Sequence, residues 1–219
     1  MNFSLFEYAG SCQVNDPAEF VEKCAVLRDF LIEANRTTNL TRITEEPDFS
    51  IKHVADSLGM AKCFPHLAAE EINLADLGCG AGFPSLVLAL AFPRWRITSI
   101  DSTGKKINFV RSAAEHLGLT NLTAIHGRVN ELNRRKEFQF KFDVVTARAV
   151  ATAPGLARDA SNFPAKAGKF ILYKTPGQAE EDMPVLKKDF RNFHWETTEP
   201  YQLPGEAGTR LFVTGARLR

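Results

Sequence analysis

The chain has 219 residues, 44% of them hydrophobic and 24% charged, with a formal net charge of +1. That balance excludes collagen-like, coiled-coil and wholly disordered chains, and it predicts one domain, or one with a small appendage. The longest unbroken apolar run, residues 86–92, falls far short of the roughly 20 residues needed to span a bilayer.

Residues 16–36 open with Asp16, Pro17 and Glu19 at N-cap, N1 and N3 positions. They then place Phe20, Cys24, Leu27, Leu31 and Ala34 on one helical stripe, which predicts an amphipathic helix. A second helix is predicted over 48–64, with Ile51, Val54, Ala55 and Leu58 inward and Pro65 ending it. From residue 72 strands and helices alternate. Strands are predicted at 72–77, 96–100, 122–126, 142–147 and 169–173. Helices are predicted at 83–92, 104–117 (stopped by Gly118), 154–163 and 179–190. Residues 194–201 and 209–217 are extended and alternating, joined by the turn-rich 203–208, which predicts an antiparallel pair closing the sheet. The expected architecture is a three-layer α/β sandwich with a seven-stranded, mostly parallel sheet. A helical cap over 1–70 precedes a core over 71–219, the latter one compact unit.

Charge is unevenly spread. Residues 102–175 hold thirteen Lys and Arg against five Asp and Glu, a net +8, leaving −7 for the rest. A basic face beside an acidic remainder suits an enzyme acting at one place on a nucleic acid, and equally a set of solvated basic loops.

The strongest motif is Asp76-Leu77-Gly78-Cys79-Gly80-Ala81-Gly82-Phe83, where the first strand of the alternating region turns into a helix. Glycines there let backbone approach a ligand, and free amides at the helix start receive its polar atoms. The spacing G-x-G-x-G departs from the dinucleotide pattern G-x-G-x-x-G. Asp76 precedes it as a carboxylate suited to a cationic ammonium. Both points favour S-adenosylmethionine over NAD. Asp101, with Ser102 beside it, ends the next strand about 20 residues on, where a carboxylate can accept both ribose hydroxyls. Asn130, in Gly127-Arg128-Val129-Asn130, stands after the third strand, where it would read an adenine edge or simply occupy a surface loop. Arg148 and Lys174 end the fourth and fifth strands at the same sheet edge. A charge set among small apolar residues, as Arg148 is, needs a partner anion.

Absences narrow the chemistry. No Pro-Cys nucleophile, no [DN]-P-P-[FY] segment and no hydrolase or P-loop motif occurs. The four cysteines, Cys12, Cys24, Cys63 and Cys79, form no C-x-x-C pair, so neither a metal site nor a disulfide framework is expected. With no basic n-region or long h-region at the start, a cytoplasmic protein is expected. A methyl acceptor that needs little activation fits.

These residues resemble the RsmG (GidB) methyltransferases. The resemblance is carried by Asn39-Leu40-Thr41, His53 with Asp56-Ser57, the glycine motif through Pro84, and Asp101-Ser102 followed by Lys105-Lys106 and Phe109. Arg128-Val129, Arg148-Ala149 and Lys174 complete it, in order over residues 35–190. It implies a Rossmann-like class I fold that moves a methyl group from S-adenosylmethionine to N7 of a guanosine in bacterial small-subunit (16S) rRNA. It also implies a monomer in the cytoplasm, with 16S rRNA or the small subunit as partner and neither metal nor membrane.

Carried over by position, cofactor contacts fall on Gly78, Phe83, Asp101, Val129, Asn130 and Arg148, beside Asp76, Gly80, Gly82 and Ser102 of the motifs above. Arg148, Lys174 and His53 form the expected catalytic group. Arg148 would orient the cofactor's carboxylate or a substrate phosphate. Lys174, with Lys105 and Lys106, would hold RNA backbone, while His53 and Asn39 would shape the pocket from the cap. The chain departs from the family pattern at Thr103, Asn130 and Thr175. Two alternatives share the cofactor core: a methyltransferase for small molecules or proteins, and a binding module without activity.

Overall fold

The computed structural model describes residues 3–150 and 152–218. A short helix α1, Leu5–Ser11, which the sequence pattern did not mark, precedes α2, Pro17–Thr38. The start of α2 is the expected one: the Asp16 carboxylate accepts from the Glu19 amide at 3.0 Å, with Pro17 at the first helical position. Phe20, Cys24, Leu27 and Leu31 are buried along its stripe. The helix ends at Asn39, whose left-handed φ of 49° stops further winding.

The single helix expected over 48–64 is two pieces. A π-helical segment, Phe49–Ala55, runs into α3, Asp56–Cys63, and Pro65 opens a 3₁₀ turn. The wider winding of a π segment departs from the 3.6-residue repeat, and such segments often stand at functional sites. Ile51, Val54, Ala55 and Leu58 are buried as expected, and so are the polar His53, Asp56 and Ser57.

Strands β1 Asn73–Leu77, β2 Arg96–Asp101, β3 Leu122–His126, β4 Phe142–Arg148 and β5 Pro164–Lys174 are parallel. They alternate with helices α4 Ser85–Ala91, α5 Gly104–His116, α6 Val129–Leu132, α7 Ala153–Asp159 and α8 Pro176–Asp189. After α8 come β6 Phe193–Thr197, the two-residue β7 Tyr201–Gln202, and β8 Thr209–Arg217. The seven-strand path is β3-β2-β1-β4-β5-β8-β6, with β7 attached to β8 as an eighth strand.

The expected closing pair needs one refinement. Strand β8 is antiparallel to both neighbours and inserts between β5 and β6. The segment expected as one strand over 194–201 is β6 and β7, each paired with a different stretch of β8.

Alternation along the strands makes two apolar layers. Leu74, Val144 and Ile171 face the side of α4, α5 and the cap, whereas Ala75, Val145, Phe170 and Leu172 face the other. Cap residues Phe20 and Leu27 share one apolar cluster with Val87 and Val110 of α4 and α5. Strand order reverses between β1 and β4, and ligands of open α/β sheets bind at such a switch point, beyond the carboxyl ends of the strands.

Candidate functional site

A cavity of about 700 Å³ opens at that switch point. The glycine turn forms its floor, with Gly78, Gly80 and Gly82 at φ of 70°, 58° and 86°. Their reasons differ. A Cβ at Gly82 would lie 2.4 Å from Leu86 Cδ1, a packing demand, whereas one at Gly80 would meet nothing within 4 Å. At Gly80 the missing side chain leaves room in the cavity instead of room for a neighbour. Gly82 itself lies outside the lining, behind the turn.

Asp101 supports this floor. One carboxylate oxygen accepts from the Gly80 amide at 3.0 Å and the other from the Thr103 amide at 2.8 Å. A carboxylate offers about four lone-pair positions, so two acceptor positions remain. Ser102, Val129 and Asn130 stand in the adjoining wall, together with Arg128 and Lys106.

Asp76 lies beneath the turn and is fully buried, outside the cavity lining. One of its oxygens accepts from Ser85 Oγ; the other, Oδ1, has no partner among the described residues. Burial raises its acid to about 6, only partly offset by the Ser85 hydrogen bond and the Arg148 charge.

The cap supplies the opposite wall through Leu40, Thr41 and His53. His53 lies flat on Phe83, with ring centroids 4.1 Å apart and planes 8° apart. Arg148 Nη2 is 3.3 Å from His53 Nδ1. A guanidinium only donates, so Nδ1 accepts and the ring proton sits on Nε2, 3.2 Å from Thr41 Oγ1. Burial, then the neighbouring Arg148 charge, pulls the imidazole down to about 3, so His53 is neutral at physiological pH.

Arg148 is tied to the cap. Its Nη1 donates to the Lys52 carbonyl at 2.9 Å and to Asp56 at 3.1 Å, and Asp56 also accepts from Arg210 at 3.2 Å. The partner anion that Arg148 requires is therefore Asp56, a residue to which the sequence pattern alone gives no role. The one mark it carried was its place in the His53 with Asp56-Ser57 element of the family resemblance. Nothing in the sequence marked Arg210. Ala149, next to Arg148, holds a φ of 56°, a strained value for a residue with a Cβ, at the cavity wall.

Besides Gly82 and Asp76, two further expected residues stand outside this lining. Lys174 does not line this cavity; it is buried, 2.9 Å from the Asp182 carboxylate, in the wall of a neighbouring cavity of about 380 Å³. Asn39 is exposed at the end of α2, and Asn35 holds the following turn instead, its Oδ1 accepting from the Leu40 and Thr41 amides. Among the described residues no group of three or more His, Cys, Asp or Glu is placed to hold a metal, and no helix is long and apolar enough to cross a membrane.

Comparison with known proteins assigns the relationship. Residues 21–205 match the family described as rRNA small subunit methyltransferase G (GidB). The chain belongs to this family. It is 36% identical over 185 residues to ribosomal RNA small subunit methyltransferase G of Lactobacillus delbrueckii subsp. bulgaricus, covering 84% of this chain and 77% of that one. It is 41% identical over 165 residues to the protein of that name from Limosilactobacillus reuteri, covering 75% and 68%. Among solved structures, an O-methyltransferase from Bacillus cereus in complex with SAH superposes with a TM-score of 0.61 at 12% identity, over 88% of this chain and 91% of that one. At that identity the likeness concerns the Rossmann-like methyltransferase fold alone. The GidB match spans the cap from α2, the glycine turn and the β4 and β5 edges, so it includes both walls of the cavity.

Proposed function

We propose that the protein transfers a methyl group from S-adenosylmethionine to N7 of a guanosine in bacterial small-subunit (16S) rRNA, acting in the cytoplasm on rRNA or the small subunit. Family membership makes it a methyltransferase of small-subunit rRNA. The observation that carries the cofactor reading is the open space over Gly80 beside Asp101, with Asp76 buried under the same turn and one of its carboxylate oxygens left without a partner among the described residues. A glycine floor, a carboxylate with acceptor capacity left and an orphaned buried carboxylate oxygen fit an amino-acid-bearing nucleoside.

When bound, S-adenosylmethionine supplies a sulfonium methyl: the N7 lone pair forms the new N–C bond, the S–C pair stays with sulfur, and the base gains one positive charge. Asp101 would hold the ribose hydroxyls, Val129 and Asn130 the adenine, and Asp76 the ammonium. Guanine N7 carries no proton, so no side chain need act as a general base. The protein's work is to orient the acceptor and exclude water. His53, neutral and stacked on Phe83, walls the cavity without adding a cation where positive charge develops. Asp56 offsets the Arg148 charge in the same wall. Lys105, Lys106 and Arg128, at the starts of α5 and α6, would meet phosphates.

The test is transfer of radiolabelled methyl from S-adenosylmethionine to small subunits from cells lacking this gene, with the modified nucleoside mapped. Label in 7-methylguanosine at one rRNA position is expected. Normal cofactor binding with no label in rRNA would overturn the reading.

A further inference from the structure

We propose that the second cavity receives the acceptor base and that Gln178 and Glu181 read its Watson–Crick edge as guanine. This rests on the reading above that a guanosine is methylated. The cavity, about 380 Å³, shares Ala149, Val150 and Leu156 with the first, so a base seated in it adjoins the cofactor space. Its size lies within the range of small-ligand pockets.

Two neighbouring groups on α8 set its recognition chemistry. Gln178 and Glu181 stand three residues apart and so are neighbours on the helix surface. A capping box fixes the Gln178 amide: its Oε1 accepts from the Thr175 amide at 3.0 Å, leaving the Nε2 end to donate elsewhere. Glu181 can only accept when ionised, and none of the described residues pairs with it. One donor beside one acceptor matches guanine, whose O6 accepts and whose ring N1–H and N2 amine donate. Adenine presents the reverse order and is mismatched. N7 lies on the adjacent edge of the purine, beside O6, with its lone pair roughly at a right angle to the N1–H, free to face the first cavity.

Charge points the same way. Lys174 and Asp182 lie 2.9 Å apart and offset each other, so Glu181 leaves the lining one net negative charge. Methylation at N7 makes the base cationic and its N1–H a stronger donor. A carboxylate accepting from that N1–H favours the charge as it forms.

Small subunits from cells lacking this gene are to be methylated by wild type, Glu181→Gln and Glu180→Gln, with S-adenosylhomocysteine affinity measured on each. Glu181→Gln is expected to lose about tenfold or more in kcat/KM, the scale of one paired hydrogen bond to a base, with cofactor affinity unchanged. Glu180→Gln, on the same helix but outside the cavity lining, should match wild type. Titration of the S-adenosylhomocysteine-loaded protein with GMP and AMP should show a preference for GMP that Glu181→Gln abolishes. Wild-type turnover by Glu181→Gln, or a GMP preference it retains, overturns the assignment. Wild-type protein that places no 7-methylguanosine in rRNA overturns the functional reading instead.

Discussion

Asp56 of the cap bridges two arginines of the sheet, Arg148 at 3.1 Å on β4 and Arg210 at 3.2 Å on β8. This one buried carboxylate fastens the cap to the core and sets Arg148 against His53 and Phe83 in the cavity wall.

Removing the two partners should have unequal effects. Arg148→Ala leaves Asp56 paired with Arg210, whereas Asp56→Ala leaves two arginines without their carboxylate. Urea unfolding should show the larger loss for Asp56→Ala, on the order of 3–5 kcal/mol for breaking a buried pair. Arg148→Ala should still lower methyl transfer at least ~10-fold, the scale of one charge-assisted hydrogen bond. Wild-type turnover in that variant would remove Arg148 from the site.

His53 carries a pH signature. Its imidazole titrates near 3 in the fold against 6.5 ordinarily, so the unfolded chain binds the extra proton first as pH falls. The stability it supports is complete above about 6.5 and is lost progressively toward 3. His53→Phe keeps a ring against Phe83 and should flatten this part of the stability profile. Methyl transfer between pH 6.5 and 8 should show no ionisation from His53; a step there abolished by His53→Phe would contradict its neutral state.

Asp76 acts in the opposite sense. Its acid is raised from 3.8 to about 6, so its burial costs nothing when both states are protonated and most above pH 6. Asp76→Asn keeps an acceptor for Ser85 and should stabilise the ligand-free protein at pH 7 by up to about 3 kcal/mol. The same change should weaken S-adenosylmethionine binding, read by calorimetry. A variant that gained stability and bound the cofactor normally would detach Asp76 from the ammonium.

Gly80→Leu should abolish S-adenosylhomocysteine binding while the chain still folds. Its side chain would enter the open space over the turn, and its left-handed φ costs about 1–2 kcal/mol. Unchanged affinity would show that this space is not where the cofactor lies.

Association with small subunits should weaken steeply with salt, as counterion release requires. Substituting Lys105, Lys106 and Arg128 together by alanine should reduce the log–log slope by about 3 at most, one for each phosphate that is no longer neutralised. An unchanged slope would place the RNA on another face.

Much of this was legible in the chain. Asp16-Pro17-Glu19 announces a helix start through backbone amides only a few residues away, and the glycine turn carries its backbone geometry in its own composition. Alternating strand and helix periods identify a parallel sheet because each strand must be buried on both faces. The motif set also carried the family, since Asp76, Gly80 and Asp101 are placed by strand ends that the periodicity locates.

What the sequence left open involves distance along the chain. The π winding of Phe49–Ala55 follows no periodic signal, and β8 lies between β5 and β6 because its hydrogen bonds are made with strands far from it in sequence. Lys174 and Arg148 look alike as strand-end cations. Only packing decided that Lys174 is sunk against Asp182 beside the second cavity while Arg148 reaches Asp56 and His53 in the first. Local sequence determines backbone conformation and the kind of chemistry available; the counter-charge each buried cation meets is chosen by tertiary contact, because burial removes the water that would otherwise serve every charge alike.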